Sequence, residues 1–355
     1  MNRITHLFIL FITIVFISCT SEEYTSAKLY LQQKDYEKAE EFLVKAMSIE
    51  PENPEIPFQL GHHIYGRSGR WKEMNEAFNK ALSINPQAKI LDGRPVSEFV
   101  AMSRYQFWTD AYNQGVQNYN NAKNLESEEK NVSIRKAIDE FNSAADIKPD
   151  EGLTYTMLAT CFYDLGEIEK SIEIIVKAVE MSPEDFNANA AAGQIMTKNG
   201  KPNEALPYLE KAVNLNPQNL SAIRTLAQTY YDIGNTKASI ATYEKAIKAT
   251  TDNQTKADLH FNLGVLYNQV EDFDAAEDHF TIALDLNPSD VEAILGMAQT
   301  FESNERWRKA EKFYKELIYL EPENASHYRG IARVLLQQGK QDQAQRYFNK
   351  SKKYE

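Results

Sequence analysis

Six histidines and two cysteines are the side chains of this 355-residue chain best suited to metal or nucleophilic chemistry, and their spacing argues against both uses. His62 and His63 are adjacent, so on a helix they diverge by roughly 100° and converge poorly on one metal ion. They read as surface or insertion-turn residues. His260, His279 and His327 are expected in separate structural units, with no second ligand at helical spacing. Cys161 sits inside a helical apolar pattern without a C-x-x-C partner, the setting of a small core residue. No Walker loop, dinucleotide glycine fingerprint, H-E-x-x-H or G-x-S-x-G occurs. Acidic pairs such as Glu22-Glu23 and Glu128-Glu129 suit solvated faces. The expectation is a chain with no catalytic residues, no metal and no cofactor, and therefore not an enzyme.

Composition narrows the partners. Lys and Arg number 39 against 51 Asp and Glu, a net charge of -12, so a general attraction to nucleic acid or anionic lipid is missing. With 43% hydrophobic and 25% charged residues the chain is globular in type. A single core rarely grows beyond about 250 to 300 residues, so this length calls for several domains unless the chain is built from stacked repeats.

The first residues read as a leader. Arg3 precedes an apolar run from Leu7 to Ile17, broken only by Thr13, and then Ser18-Cys19. Eleven helical residues cover roughly 16 Å against a hydrocarbon core of about 30 Å, which favours a cleaved secretory signal over a permanent anchor. Phe16-Ile17-Ser18-Cys19 resembles the bacterial lipobox, with Phe where Leu is usual. That resemblance implies removal of residues 1-18 and lipidation of Cys19, with palmitate among the acyl chains. It places the protein in the bacterial cell envelope, at the outer membrane facing the periplasm, with the cell surface as the alternative. Thr20-Ser21-Glu22-Glu23 resembles a surface-export signal, on the strength of two acids.

A 34-residue period organises the rest. Pro51, Pro86, Pro149, Pro183, Pro217, Pro288 and Pro322 are spaced by 35, 63, 34, 34, 71 and 34 residues. Five residues before each lies Ala46, Ala81, Ala144, Ala178, Ala212, Ala283 or Leu317, with Ala246 and Ser351 filling the units that lack the proline. Seven residues earlier stand Ala39, Met74, Ala137, Ser171, Ala205, Ser239, Ala276, Ala310 and Ala344. Between the two columns runs a large one: Leu43, Phe78, Phe141, Ile175, Leu209, Tyr243, Phe280, Tyr314 and Phe348. Helices approach to about 8 Å only where side chains are small, so the small columns mark crossings and the large one fills the space between units. Proline stops the second helix of each unit, and Gly166, Gly200, Gly234 and Gly339 mark the turn between helices.

With first-helix patterns such as Leu158-Ala159-x2-Phe162 and Leu263-Gly264-x2-Tyr267, the unit resembles the tetratricopeptide repeat, a helix-turn-helix of 34 residues. The resemblance covers about residues 20 to 355. It implies an all-α, right-handed α-solenoid (superhelix) of about nine repeats: repeats 1-2 at 19-86, an insertion at 87-107, a long repeat 3 at 108-151, and repeats 4-9 at 152-355. Repeat 2 fits only with one extra residue near His62-His63. Ser127-Glu128-Glu129 reads as a solvated loop.

The resemblance also implies function. Stacked helix pairs form a concave surface lined by first helices, on which the family binds peptide segments or partner helices. Its lining columns here hold Tyr112, Asn113, Tyr119, Tyr163, Gln194, Arg224, Gln228, Tyr231, Asn262, Asn268, Gln299, Arg329 and Arg333. Arg224, Gln228 and Asn262 partly resemble the family's carboxylate clamp, although Glu292 stands where that clamp has Lys. The expected role is a non-enzymatic scaffold or adaptor with protein or peptide partners, a membrane tether through its lipid, no nucleic acid and no small-molecule cofactor. The alternatives are a solute-binding or transporter-accessory lipoprotein and an unprocessed cytoplasmic co-chaperone.

Overall fold

The computed structural model describes residues 20-90 and 92-354. They form nine helical hairpins, which divide after Thr154 into two compact units. In the first unit α1 (Glu22–Gln33) pairs with α2 (Tyr36–Ile49). Helix α3 (Glu55–Gln59) continues through a π turn, Leu60–Tyr65, and pairs with α4 (Trp71–Ile84). Two short strands, β1 (Lys89–Ile90) and β2 (Arg94–Pro95), form an antiparallel ribbon ahead of α5 (Val96–Ala122) and α6 (Ser127–Ile147).

Helix α7 (Gly152–Asp164) begins at the end of the first unit and pairs with α8 (Ile168–Met181). The second unit continues with α9 (Phe186–Lys198) and α10 (Pro202–Leu215), then α11 (Leu220–Asp232) and α12 (Thr236–Ala249). It ends with α13 (Asn253–Gln269) and α14 (Phe273–Leu286), α15 (Val291–Ser303) and α16 (Trp307–Leu320), and α17 (Ala325–Gln337) and α18 (Gln341–Ser351). Among the described residues no helix is long and apolar enough to cross a membrane.

The periodic columns are the core. Every residue of the two small columns is buried, and so is every member of the large column except Phe348, 42% exposed in the last hairpin. Where serine replaces alanine in the earlier small column its hydroxyl finds a carbonyl of the preceding helix: Ser171 Oγ donates to Ala159 O and Ser239 Oγ to Ala227 O, both at 2.7 Å. This satisfies a buried polar group at no cost in size. Residues before the prolines leave helical geometry, as with Ser182 at φ -137, ψ 70 and Asn287 at φ -139, ψ 85, because the proline ring excludes the α region for its predecessor. Cys161 is buried and free, and burial pushes its thiol up to about 12, which leaves it an inert core residue.

The expected insertion at 87-107 is not a separate segment. Helix α5 runs unbroken through residue 107, so the insertion comprises a ribbon and about three extra turns of the first helix of repeat 3. Ile90, Val96 and Val100 anchor it in a core with Phe58, Phe78 and Trp108. Ser127-Glu128-Glu129, expected as a loop, instead forms the first turn of α6, where the two carboxylates oppose the positive end of the helix dipole.

The extra residue of repeat 2 is absorbed by the π turn, in which Gly66 N donates to Gly61 O five residues back at 2.8 Å. This bulge meets the extension of α5: His62 Nδ1 lies 2.8 Å from Ser103 Oγ, and Phe107 packs so closely that a Cβ on Gly66 would come within 2.5 Å of its ring. Two departures from the period, 41 residues apart in sequence, are one packing solution in space.

Candidate protein-binding groove

The predicted groove residues sort into three groups. Arg224 and Gln228 of α11 and Asn262 of α13 line a single cleft of about 360 Å³ in the second unit. Helix α11 starts where Asn219 accepts from Ala222 N at 2.9 Å, an N-cap that fixes the first turn and so the direction of Arg224 one turn on. The floor is Tyr243 from α12, and Thr197 and Lys198 from α9 complete one wall. Burial pushes the Tyr243 phenol up to about 12, opposed by Arg224, so it remains a neutral donor. Gln228 donates to Asp232 at 2.7 Å and Asn262 to the Asp258 carbonyl at 2.6 Å, which leaves each amide oxygen as an acceptor.

A second group ties first helices together. Asn268 Nδ2 donates to Thr300 Oγ1 at 2.8 Å across α13 and α15, while Arg333 of α17 forks onto Glu302 of α15 and reaches the Tyr314 hydroxyl at 3.4 Å. These side chains are engaged with the protein itself. Tyr112 also belongs to packing, stacked 5.1 Å from Trp108 and tilted against Phe141 at 5.5 Å. Lys123 covers Tyr119, and Lys198 lies 5.5 Å over Tyr163. Arg329 reaches Ser326 Oγ at 3.4 Å.

The third group is presented without such ties. Asn113 and Gln299 are exposed, and Gln194 and Tyr231 half-buried. Lys198 and Tyr243 were missed as groove residues. The signal for Lys198 is its place as the last residue of a first helix; Tyr243 was legible only as a core column member.

The histidines need correction. His260 and His279 lie in one repeat, on α13 and α14, with their Nδ1 atoms 2.9 Å apart. His62 is half-buried between Phe58 and Phe107, and burial followed by the charges of His63 and Arg67 pushes it down to about 4. Among the described residues no three His, Cys, Asp or Glu side chains come close enough together to hold a metal.

Comparison with known proteins gives the family. Models described as tetratricopeptide repeat match residues 24–53, 154–185, 196–259, 257–290 and 295–353, together more than half of the chain. A curated relative, BBSome complex member BBS4 of Bos taurus, is 24% identical over 184 residues, 48% of this chain; the chain spans about a third of that relative's length, 34%. Similar solved structures include a tetratricopeptide repeat protein from Parabacteroides merdae, 14% identical, covering 69% of this chain and 93% of that one with a TM-score of 0.49. Another is YrrB, described as a TPR protein with an unusual peptide-binding site, at 19% identity, 61% and 96% coverage and a TM-score of 0.40. A third is MamA, at 24% identity, 46% and 93% coverage and a TM-score of 0.39.

Proposed function

Because the chain belongs to the tetratricopeptide repeat family, we propose that it is a non-enzymatic adaptor holding an extended segment of a partner protein in the cleft between α9, α11 and α13. The observation that carries this reading is the cleft's lining: Lys198 and Arg224 supply cations, Gln228, Asn262 and Gln269 supply amides, and no carboxylate lines it, in a chain of net charge -12. Amides pair with a peptide backbone as donor and acceptor, and the two cations suit a segment carrying carboxylates.

Cys19 lies outside the described residues. Its lipidation, and with it a tether to the bacterial envelope, is part of the same proposal, motivated by the apolar run that ends at Ser18-Cys19. Several acyl chains hold a protein stably where one does so marginally, so the mature form should resist salt washing and Cys19→Ala should release it from the membrane fraction. A Cys19→Ala protein that stays membrane-bound would refute the lipid anchor.

The groove is tested by crosslinking capture of partners from intact cells with wild type and with Arg224→Ala plus Asn262→Ala. Losing an Arg contact at the centre of an interface costs about 2 kcal/mol or more, near thirtyfold in affinity, and capture should fall accordingly at unchanged helicity. Equal capture would exclude this cleft.

A further inference from the structure

The second unit carries a sharp reversal of charge. From Ala257 to Glu305 there are eleven Asp and Glu and no Lys or Arg; from Arg306 to Tyr354 there are twelve Lys and Arg and five Asp and Glu. The two halves are adjacent in space. Arg306, at the start of α16, pairs with Asp274 at 2.9 Å and Glu277 at 2.7 Å on α14, and Lys309 pairs with Glu277 at 2.9 Å. These pairs form a seam that fixes the two helices side by side.

Beside the seam, and sharing only Asp274 with it, each helix presents one stripe. Helices α14 and α16 are offset by 34 residues at both ends, so residues 34 apart point the same way. On α14 the exposed positions at i, i+4, i+7 and i+11 are Asp274, Asp278, Thr281 and Asp285. On α16 the same positions are Arg308, Lys312, Lys315 and Tyr319, again exposed, with Tyr319 at 85%. At 3.6 residues per turn these four positions fall within a narrow strip about 16 Å long. Among the described residues Asp278, Asp285, Arg308 and Lys312 have no ion-pair partner.

We propose that this face binds a second copy of the chain. A surface that carries complementary stripes side by side is self-complementary about a two-fold axis running along the helices midway between them. That operation lays α14 of one copy on α16 of the other, in both directions at once. It sets Asp274 opposite Arg308 of the second copy, Asp278 opposite its Lys312, and Asp285 opposite its Tyr319 hydroxyl. Matching potentials of this kind select partner and register, and Tyr319 supplies rigid contact area with a polar tip. A single-sign surface would point to a lipid or an unrelated polyion; the paired stripes point to self-association. The proposed groove between α9, α11 and α13 plays no part in it.

The test is sedimentation velocity of the full chain at roughly 100 µM and about 20 mM ionic strength, repeated at about 500 mM, where charges farther apart than about 5 Å are screened. A dimer at low salt that dissociates at high salt is expected. Asp278→Lys should weaken dimerisation at least tenfold, because the two-fold axis repeats the reversed contact with Lys312, and so should Lys312→Glu in a separate protein. Mixing the two variants should restore a dimer, because the reversed α14 of one then meets the reversed α16 of the other and the unaltered stripes still match. Circular dichroism checks that both variants keep their helices. A wild type that stays monomeric at low salt, a dimer indifferent to both variants, or a mixture that fails to pair would each overturn the proposal, the last assigning the face to another partner.

Discussion

The Nδ1 atoms of His260 and His279 meet at 2.9 Å, with ring centroids 5.2 Å apart and planes inclined by 27°. The separation of the centroids is that of two imidazoles touching edge to edge, so the contact is a hydrogen bond along which one ring donates and the other accepts. A first added proton can sit on the outer nitrogen of the donor ring and strengthen the bond. A second has to occupy the accepting Nδ1 and would oppose two N–H groups. The pair thus clamps α13 to α14 only while it holds fewer than two extra protons.

Burial, then each other's charge and Lys256, lowers the affinity of His260 for protons; burial lowers that of His279 against the opposing Asp278 and Glu244. Both folded-state values lie below the unfolded value of about 6.5, so the unfolded chain binds more protons beneath that pH. Stability is full above about pH 6.5 and declines as pH falls. His62, at about 4, adds at most about 3 kcal/mol to the same decline. We expect Tm to drop between pH 7 and 5, and His279→Gln, whose amide keeps a donor and an acceptor but does not titrate there, to flatten part of that slope. A variant with the wild-type slope would remove the pair as a source of acid sensitivity.

Gly330 in α17 has no room for a side chain. A Cβ there would lie 2.3 Å from the ring of Tyr314, which is buried and held through its hydroxyl by Glu302 at 2.8 Å. Gly330→Ala gains helix propensity of about 1 kcal/mol, but overpacking a filled core typically costs about 1 to 3 kcal/mol. The net outcome should be a lower denaturation midpoint in urea. An unchanged or raised midpoint would show that Tyr314 gives way cheaply.

Five hairpins carry glycine where the turn between helices needs positive φ: Gly69, Gly166, Gly200, Gly234 and Gly339 stand at 71°, 77°, 70°, 80° and 76°. Lys34, Glu271 and Glu305 occupy the same place at 59°, 62° and 53°. A side chain costs about 1 kcal/mol or more in that region, partly offset by the greater unfolded-state freedom of glycine. Glu271→Gly combined with Glu305→Gly should therefore raise stability by about 1 kcal/mol, read as a higher Tm. A fall would mean that the two carboxylates hold the turns through contacts stronger than the strain.

Much of the architecture was written in the period. Ala, a large residue and Ala at fixed distances, followed by proline, name the buried face of each second helix, and every position but Phe348 of the last hairpin, which has no following neighbour to pack on, is buried as the pattern has it, because the forces involved act within one 34-residue hairpin and its neighbour. The same locality made Arg224, Gln228 and Asn262 legible as residues of first helices that share a face. Locality also marks where the reading stopped. The extra residue of repeat 2 was visible as a break in register, but that it becomes a π turn seated against Ser103 and Phe107 depends on where α5 runs, and α5 is held by a core spanning Phe58 to Trp108.

His260 and His279, 19 residues apart, lie on no common helical face, and only the antiparallel return of α14 along α13 brings their rings together. Asn268 and Arg333 sat in the predicted groove columns, yet Thr300 and Glu302 on the neighbouring helix claim them. The sequence by itself determined the repeat, its buried columns and the sites where the repeat fails, since side-chain size and backbone preference are properties of short segments. Which polar side chains remain free for a partner was decided only by the tertiary structure, because a hydrogen bond or ion pair between helices depends on a separation of a few tenths of an ångström that no local spacing encodes.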